Sequence, residues 1–178
     1  MKTFFRGSSD FALLLALLIL RPLSSGAEAA AEDPAGRPAE GAQGVVTRVV
    51  DGDTVIVRFS PPPKGFGPTE RVRLIGIDAP ESVRPGTPVQ RFSEEAAEYA
   101  RRHLSGEKVT LRFDRDLRDR YGRVLAYLYL DDGAFFNARM IEDGCAYAYT
   151  KYPFRFLKEF RDLERRARRE GRGLWAED

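Results

Sequence analysis

The chain has 178 residues, 43% of them hydrophobic, with 29 basic against 27 acidic side chains, one histidine and one cysteine. That is enough for one domain with a real core and too little for two comfortable ones. A net charge of +2 is too mild to announce a nucleic-acid partner, and a lone Cys145 excludes an internal disulfide framework.

The N-terminus carries Lys2 and Arg6, an apolar run from Phe11 to Leu20, and small residues at Ser24, Ser25, Gly26 and Ala27. This order predicts a secretory signal peptide over residues 1–27, cleaved after Ala27 or Ala29. A spanning helix needs roughly twenty apolar residues, and Arg21 interrupts this run too early. An uncleaved anchor is the alternative. Residues 28–43 are small, polar and proline-bearing, the composition of a flexible linker. The remaining domain, 44–178, holds 25 basic and 22 acidic residues, and 21 of the bases are arginine. Arginine's planar fork suits phosphate oxygens, although codon composition enriches it equally well.

Two β-branched runs, Val45–Val50 and Thr54–Phe59, flank Asp51-Gly52-Asp53, a strong hairpin signal. A Pro- and Gly-rich connection over 60–69 leads to a third strand from Arg71 to Ile77. Val109, Leu111 and Phe113 alternate with polar residues as a fourth strand, and Val124–Leu130 is the fifth. Together they predict a small antiparallel sheet or barrel. Ser93 is placed to cap a first helix that carries Glu94 and Glu95 in its opening turn and ends at Gly106. A short second helix runs from Phe135 or Phe136 to Asp143. The third covers about Phe154 to Glu170, buries Leu157, Phe160, Leu163 and Ala167, and leaves Trp175 to pack back on the domain. Cys145 reads as a small buried hydrophobe, His103 as a partly packed surface residue, and the Arg165–Arg169 cluster as a solvated face. With one histidine, chemistry cannot rest on a histidine pair.

The candidate site lies in three stretches: Asp51–Thr54, Arg73 to Glu81, and Asp119–Arg123. If the second and third strands pair antiparallel, the start of one lies beside the end of the other, so Asp53 and Asp78 meet at one rim. Carboxylate oxygens suit Ca²⁺ or Mg²⁺, and no sulfur or imidazole cluster is present for zinc. Arg73 and Asp78 are five apart, so strict alternation puts them on opposite faces; a bulge at Gly76 is needed to bring them together. Glu81 then orients or deprotonates an attacking water, and Arg73 and Arg123 neutralise charge on a phosphorane-like transition state. Tyr121 offers a ring for a base to stack on, or simply packs the rim.

Asp-Gly-Asp-Thr at 51–54, Arg73, Ile-Asp-Ala-Pro-Glu at 77–81, Asp-Arg-Tyr-Gly-Arg at 119–123, Leu-Ala-Tyr at 125–127, Asn137 and the closing Leu-Trp-Ala-Glu-Asp carry a resemblance. From about Val45 onward the chain resembles the staphylococcal nuclease (thermonuclease) family. The resemblance implies a five-stranded OB-fold barrel with three helices, exported as a monomer. It also implies a nuclease dependent on one Ca²⁺ ion that acts on DNA and RNA and leaves 3′-phosphate ends. Asp53, Asp78 and the backbone carbonyl of Ala79 are the implied metal ligands, with Asp51 a supporting carboxylate. Arg73, Glu81 and Arg123 are the implied catalytic trio, and Arg120 and Tyr121 the substrate contacts. Position 79 is alanine where the founding member has threonine, and the 60–69 connection is longer. The aromatic stretch Tyr147–Tyr152 resembles the family's nucleotide-contacting tyrosines without aligning cleanly. The rival reading is a catalytically silent OB-fold module that binds nucleic acid.

Overall fold

A computed structural model describes residues 41–80 and 90–176. The expected signal peptide, most of the expected linker, and Glu81 lie outside the described residues. The first strand, β1 (Ala42–Asp51), begins two residues inside the stretch expected to be linker, with Ala42 buried and opposite Leu111. It is followed by β2 (Thr54–Arg58), β3 (Thr69–Leu74), β4 (Ile77–Asp78), α1 (Ser93–Leu104), β5 (Lys108–Arg112), β6 (Val124–Leu130), α2 (Phe136–Glu142), β7 (Tyr147–Ala148) and α3 (Leu157–Arg169).

Five strands close a barrel in the order β1-β2-β3-β6-β5, as the OB-fold reading expects. Four of its seams are antiparallel, whereas β3 and β6 run parallel. The expectation of a wholly antiparallel sheet is corrected there: the long excursion through α1 and β5 returns the chain to β3 in the same direction. Two register shifts in β1, at Thr47 and Val50, leave extra residues unpaired against β2 and increase its twist, as closure demands. Val46, Val55, Val57, Val72, Leu74, Leu111, Val124 and Leu128 point inward and are almost fully buried. Each such side chain contributes about 1.5–3 kcal/mol relative to exposure.

The third strand stops at Leu74 rather than Ile77. Ile75 and Gly76 turn the chain, and β4 leaves the barrel to pair with β7 in a separate two-stranded sheet. A left-handed Gly76 (φ 77°) makes that turn; an added Cβ there would sit 2.6 Å from a Phe154 ring carbon. Asn137, buried on α2, fixes this corner: its Oδ1 accepts from Leu128 N–H, and its Nδ2 donates to the carbonyl of Ile75.

Helix α1 is not capped by Ser93. Phe92 occupies the cap position in a left-handed conformation, and the Ser93 hydroxyl is buried with no hydrogen-bond partner. Helix α3 starts three residues later than expected, because Arg155 N–H is drawn to the Asp114 carboxylate and the Tyr127 hydroxyl. Phe160 and Ala167 are its buried stripe, with Leu163 half-buried. Cys145 is buried, and burial pushes its thiol up to about 12, so it is inert. His103 stacks on Tyr99, and Arg165, Arg166 and Arg168 pair with Asp162, Glu142 and Glu164. Trp175 packs as expected, under the Arg168 guanidinium and against Tyr147.

Candidate active site

The β1–β2 turn builds the first part. Asp51 ends β1, and its carboxylate accepts the backbone N–H of Asp53 at 3.0 Å, which holds the turn shut. Gly52 is buried there because Ala79 fills the space a side chain would need; a Cβ at 52 would lie 2.5 Å from that of Ala79. Asp53 follows, nearly buried. One carboxylate oxygen accepts from the Thr54 hydroxyl at 3.0 Å and the other from Ala79 N–H at 2.9 Å. Asp53 thereby ties the hairpin turn to a residue 26 positions away.

Arg73 lies between two acids. Its Nη1 is 2.7 Å from Asp53 Oδ2, and its Nη2 donates to Asp78 Oδ1 at 3.0 Å. Arg73 and Asp78 do meet, through the turn at Gly76 and not through a bulge. The Nη1 contact is ionic only: although close to Asp53, this buried nitrogen has no aligned hydrogen-bond acceptor. One of Arg73's donors is thus left over in the middle of the site.

Burial pushes the Asp53 carboxyl up to about 7; the Arg73 charge opposes that and the Asp51 charge adds to it. The Arg73 guanidinium therefore does not fully offset the burial of Asp53. The donors are all oxygen and crowd one guanidinium, a donor set that suits a hard divalent ion held by Asp53 and Asp78. Among the described residues no three acidic, histidine or cysteine side chains form a complete ligand set. The remaining ligands would have to be backbone carbonyl, as expected at Ala79, and water.

Arg123 approaches from the next strand. In the parallel β3–β6 seam, Val72 faces Val124 and Arg73 faces Leu125, so Arg123 continues the row opposite Arg71. With Val72 and Leu74 pointing into the barrel, Arg71, Arg73 and Arg123 share its outer face. The Arg123 guanidinium is turned toward Asp119, whose Oδ2 accepts from its Nε at 2.6 Å, while Oδ1 accepts the N–H groups of Tyr121 and Arg123. Burial works to raise the Asp119 carboxyl, but the bonds from Arg123 outweigh it and hold the group below the usual carboxylate range. Tyr121 is 67% exposed, with the Arg120 guanidinium 4.7 Å from its ring centre and that of Arg123 at 5.6 Å. Glu70, Arg71, Tyr121, Gly122 and Arg123 line a groove of about 400 Å³.

The structure therefore brings together Asp51, Asp53, Asp78, Ala79 and Arg73, and sets Arg123 on the outer face that carries Arg73, with Tyr121 and Arg120 in the adjoining turn. Sequence reasoning missed the role of Asp119 in holding the Arg123 turn, although an Asp two residues before Tyr-Gly is a recognisable turn signal. It also missed Arg118 and Glu70, which no local pattern reveals.

A closed five-stranded barrel with acids and arginines at one lip defines the class. The sequence model of the family described as "Staphylococcal nuclease homologue" matches residues 71–177. The chain is 36% identical to a thermonuclease of Staphylococcus hyicus over 132 residues, covering 74% of each protein. It is 39% identical to a thermonuclease of Staphylococcus intermedius over 134 residues, again with 74% of each covered. The SPbeta prophage-derived endonuclease YokF of Bacillus subtilis (strain 168) is 34% identical over 134 residues, 74% of this chain and 43% of that protein. The chain belongs to the staphylococcal nuclease family.

Proposed function

We propose that the protein is an exported, Ca²⁺-dependent nuclease that hydrolyses phosphodiester bonds of DNA and RNA with little sequence preference and leaves 3′-phosphate ends. The observation that carries this reading is Arg73. It is held between Asp53 and Asp78, yet one buried N–H-bearing nitrogen has no aligned acceptor. A phosphate oxygen is the acceptor that such a fork accepts best.

Asp53, Asp78 and the Ala79 carbonyl would hold one Ca²⁺ ion, with Asp51 supporting Asp53 from behind. When bound, that ion supplies Lewis-acid polarisation of a phosphate oxygen. Arg73 orients the scissile phosphate and, with Arg123, neutralises the charge that grows on it; Arg123 must exchange Asp119 for the substrate to do so. Glu81 orients or deprotonates the attacking water. Tyr121, exposed and flanked by Arg120, stacks a base in a way that any sequence satisfies. Export rests on the composition of residues 1–27. Among the described residues no helix is long and apolar enough to cross a membrane.

Incubating the purified protein with plasmid and with RNA, in Ca²⁺, in Mg²⁺ and in chelator, tests the reading. Degradation is expected in Ca²⁺ and not in chelator, with products that a 3′-phosphatase converts to polymerase primers. Equal degradation in chelator removes the ion from this mechanism. Binding without cleavage under every condition would favour the silent-module reading.

A further inference from the structure

The outer face of β1, β2 and β3 carries a set of arginines that the proposed chemistry does not use. In the antiparallel registers Arg48 faces Ile56, and Ile56 faces Arg71; continued across the β3–β6 seam, this row ends at Arg123. The next row away from the candidate centre is Val45, Arg58 and Thr69, and Val45 is also opposite Lys108 of β5. All these side chains point out of the barrel, because their neighbours Val46, Val55, Val57 and Val72 point in. Arg48, Arg58, Arg71 and Lys108 are exposed.

Their shared face sets them apart. Among the described residues no carboxylate pairs with Arg48, Arg58, Arg71 or Lys108; Arg102, Arg161 and Arg169 are exposed without such a pair too, but they are scattered over α1 and α3, whereas these four lie on one continuous strand surface. Of the nearby acids, Glu70 is taken by Arg118 and the Asp51 carboxylate accepts the Asp53 N–H; Glu107 beside Lys108 and Asp131 remain, the latter lining a hollow of about 630 Å³ with Arg58, Thr69 and Lys108. The row spacing is about 6.6 Å along a strand and the strands are roughly 4.8 Å apart. Successive cations are thus about 8–10 Å apart, spread along the face rather than clustered on one phosphate.

We propose that this face is an extended phosphate track, on which Arg71, Arg48, Arg58 and Lys108 carry the sugar-phosphate backbone of a polynucleotide strand away from the candidate centre. The half-buried Ile56 gives the strand an apolar spot between cations. The track rests on the nuclease reading and deepens it: the substrate class becomes a polymer several phosphates long, with binding strength gathered from nucleotides remote from the cleaved bond.

Equilibrium binding of fluorescent phosphorothioate dodecathymidylate and of the corresponding dinucleotide, in chelator and across a salt series, tests it. The Arg48→Gln/Arg58→Gln variant removes two phosphate contacts, so the log–log salt slope for the long strand should fall by about 1.4. Its affinity for the dodecamer should drop several-fold relative to wild type, and more than its affinity for the dinucleotide. Arg165→Gln/Arg166→Gln removes the same charge from α3 and should leave the slope near that of wild type. An unchanged slope in the track variant, or an equal change in the α3 variant, overturns the track while leaving the nuclease reading intact. A wild-type protein that binds neither oligomer overturns the track, while the plasmid and RNA assay in Ca²⁺ decides the nuclease reading separately.

Discussion

Arg118 and Glu70 meet as a two-pronged pair, Nη1 2.9 Å from Oε2 and Nη2 2.8 Å from Oε1, across 48 residues of sequence. The same guanidinium donates to the Gly122 carbonyl at 2.9 Å, and Gly67 N–H donates to Glu70 at 2.7 Å. One ion pair therefore joins the 60–69 connection, β3 and the turn that presents Tyr121 and Arg123. Phe66, packed between Phe59 and Phe113, anchors the same connection from inside.

The pair makes stability depend on pH. The Arg118 hydrogen bond holds the Glu70 carboxyl below its ordinary value, against the opposing effect of burial. A depressed acid stabilises the fold above its unfolded pKa and loses that contribution as pH falls through the folded one. Glu70→Gln should thus cost about 1–2 kcal/mol at pH 7. The deficit should shrink toward zero well below the carboxylate range. Denaturant titrations at both pH values check it; a deficit independent of pH would show that packing, not charge, is lost.

Removing a preorganised donor costs on the order of a hundredfold or more in rate. Arg123→Ala and Glu81→Gln should each give a folded protein slowed by at least that factor on polymeric DNA. Circular dichroism confirms the fold, and wild-type turnover in either variant would remove that residue from the chemistry.

Ligand linkage offers a readout independent of activity. An ion that binds only the folded state raises the unfolding temperature as its concentration passes Kd. Ca²⁺ should raise the melting temperature of the wild-type protein, and Asp53→Asn should abolish the rise. An undiminished rise in the variant places the ion elsewhere.

At Gly76 a side chain faces two penalties. The left-handed backbone costs roughly 1–2 kcal/mol for any residue with a Cβ, and that Cβ would collide with Phe154 and Phe160. Gly76→Ala should lose about 2–4 kcal/mol of stability through strain and overpacking together. It should also weaken Ca²⁺ binding, because β4 carries Asp78. Unfolding and calorimetry on one sample separate the two effects.

Asn137→Leu keeps the volume and deletes the bonds. Leu128 N–H and the Ile75 carbonyl would be left buried without their partner. A loss of about 2–4 kcal/mol is expected, measured by thermal or chemical unfolding. A loss under 1 kcal/mol would mean that the corner relaxes around the gap.

The strands and helices were legible because alternation and helical stripes are local: Val55 and Val57 face in while Ile56 and Arg58 face out, and Phe160 and Ala167 share a face. Identity and order of the acidic and arginine motifs were legible too. The sequence by itself therefore determined a five-stranded barrel and the residue types at its lip. Only the tertiary structure decided that β3 closes on β6 in parallel, that Arg73 reaches Asp78 through a turn at Gly76, that Ser93 does not cap α1, and that Arg118 clamps Glu70. The seam joins Val72 to Val124 and the clamp joins Glu70 to Arg118, partners far apart in sequence, while one backbone turn at Gly76 re-aims everything after it. Periodicity records which way a side chain faces within its own element; it carries no information about which distant element will lie opposite.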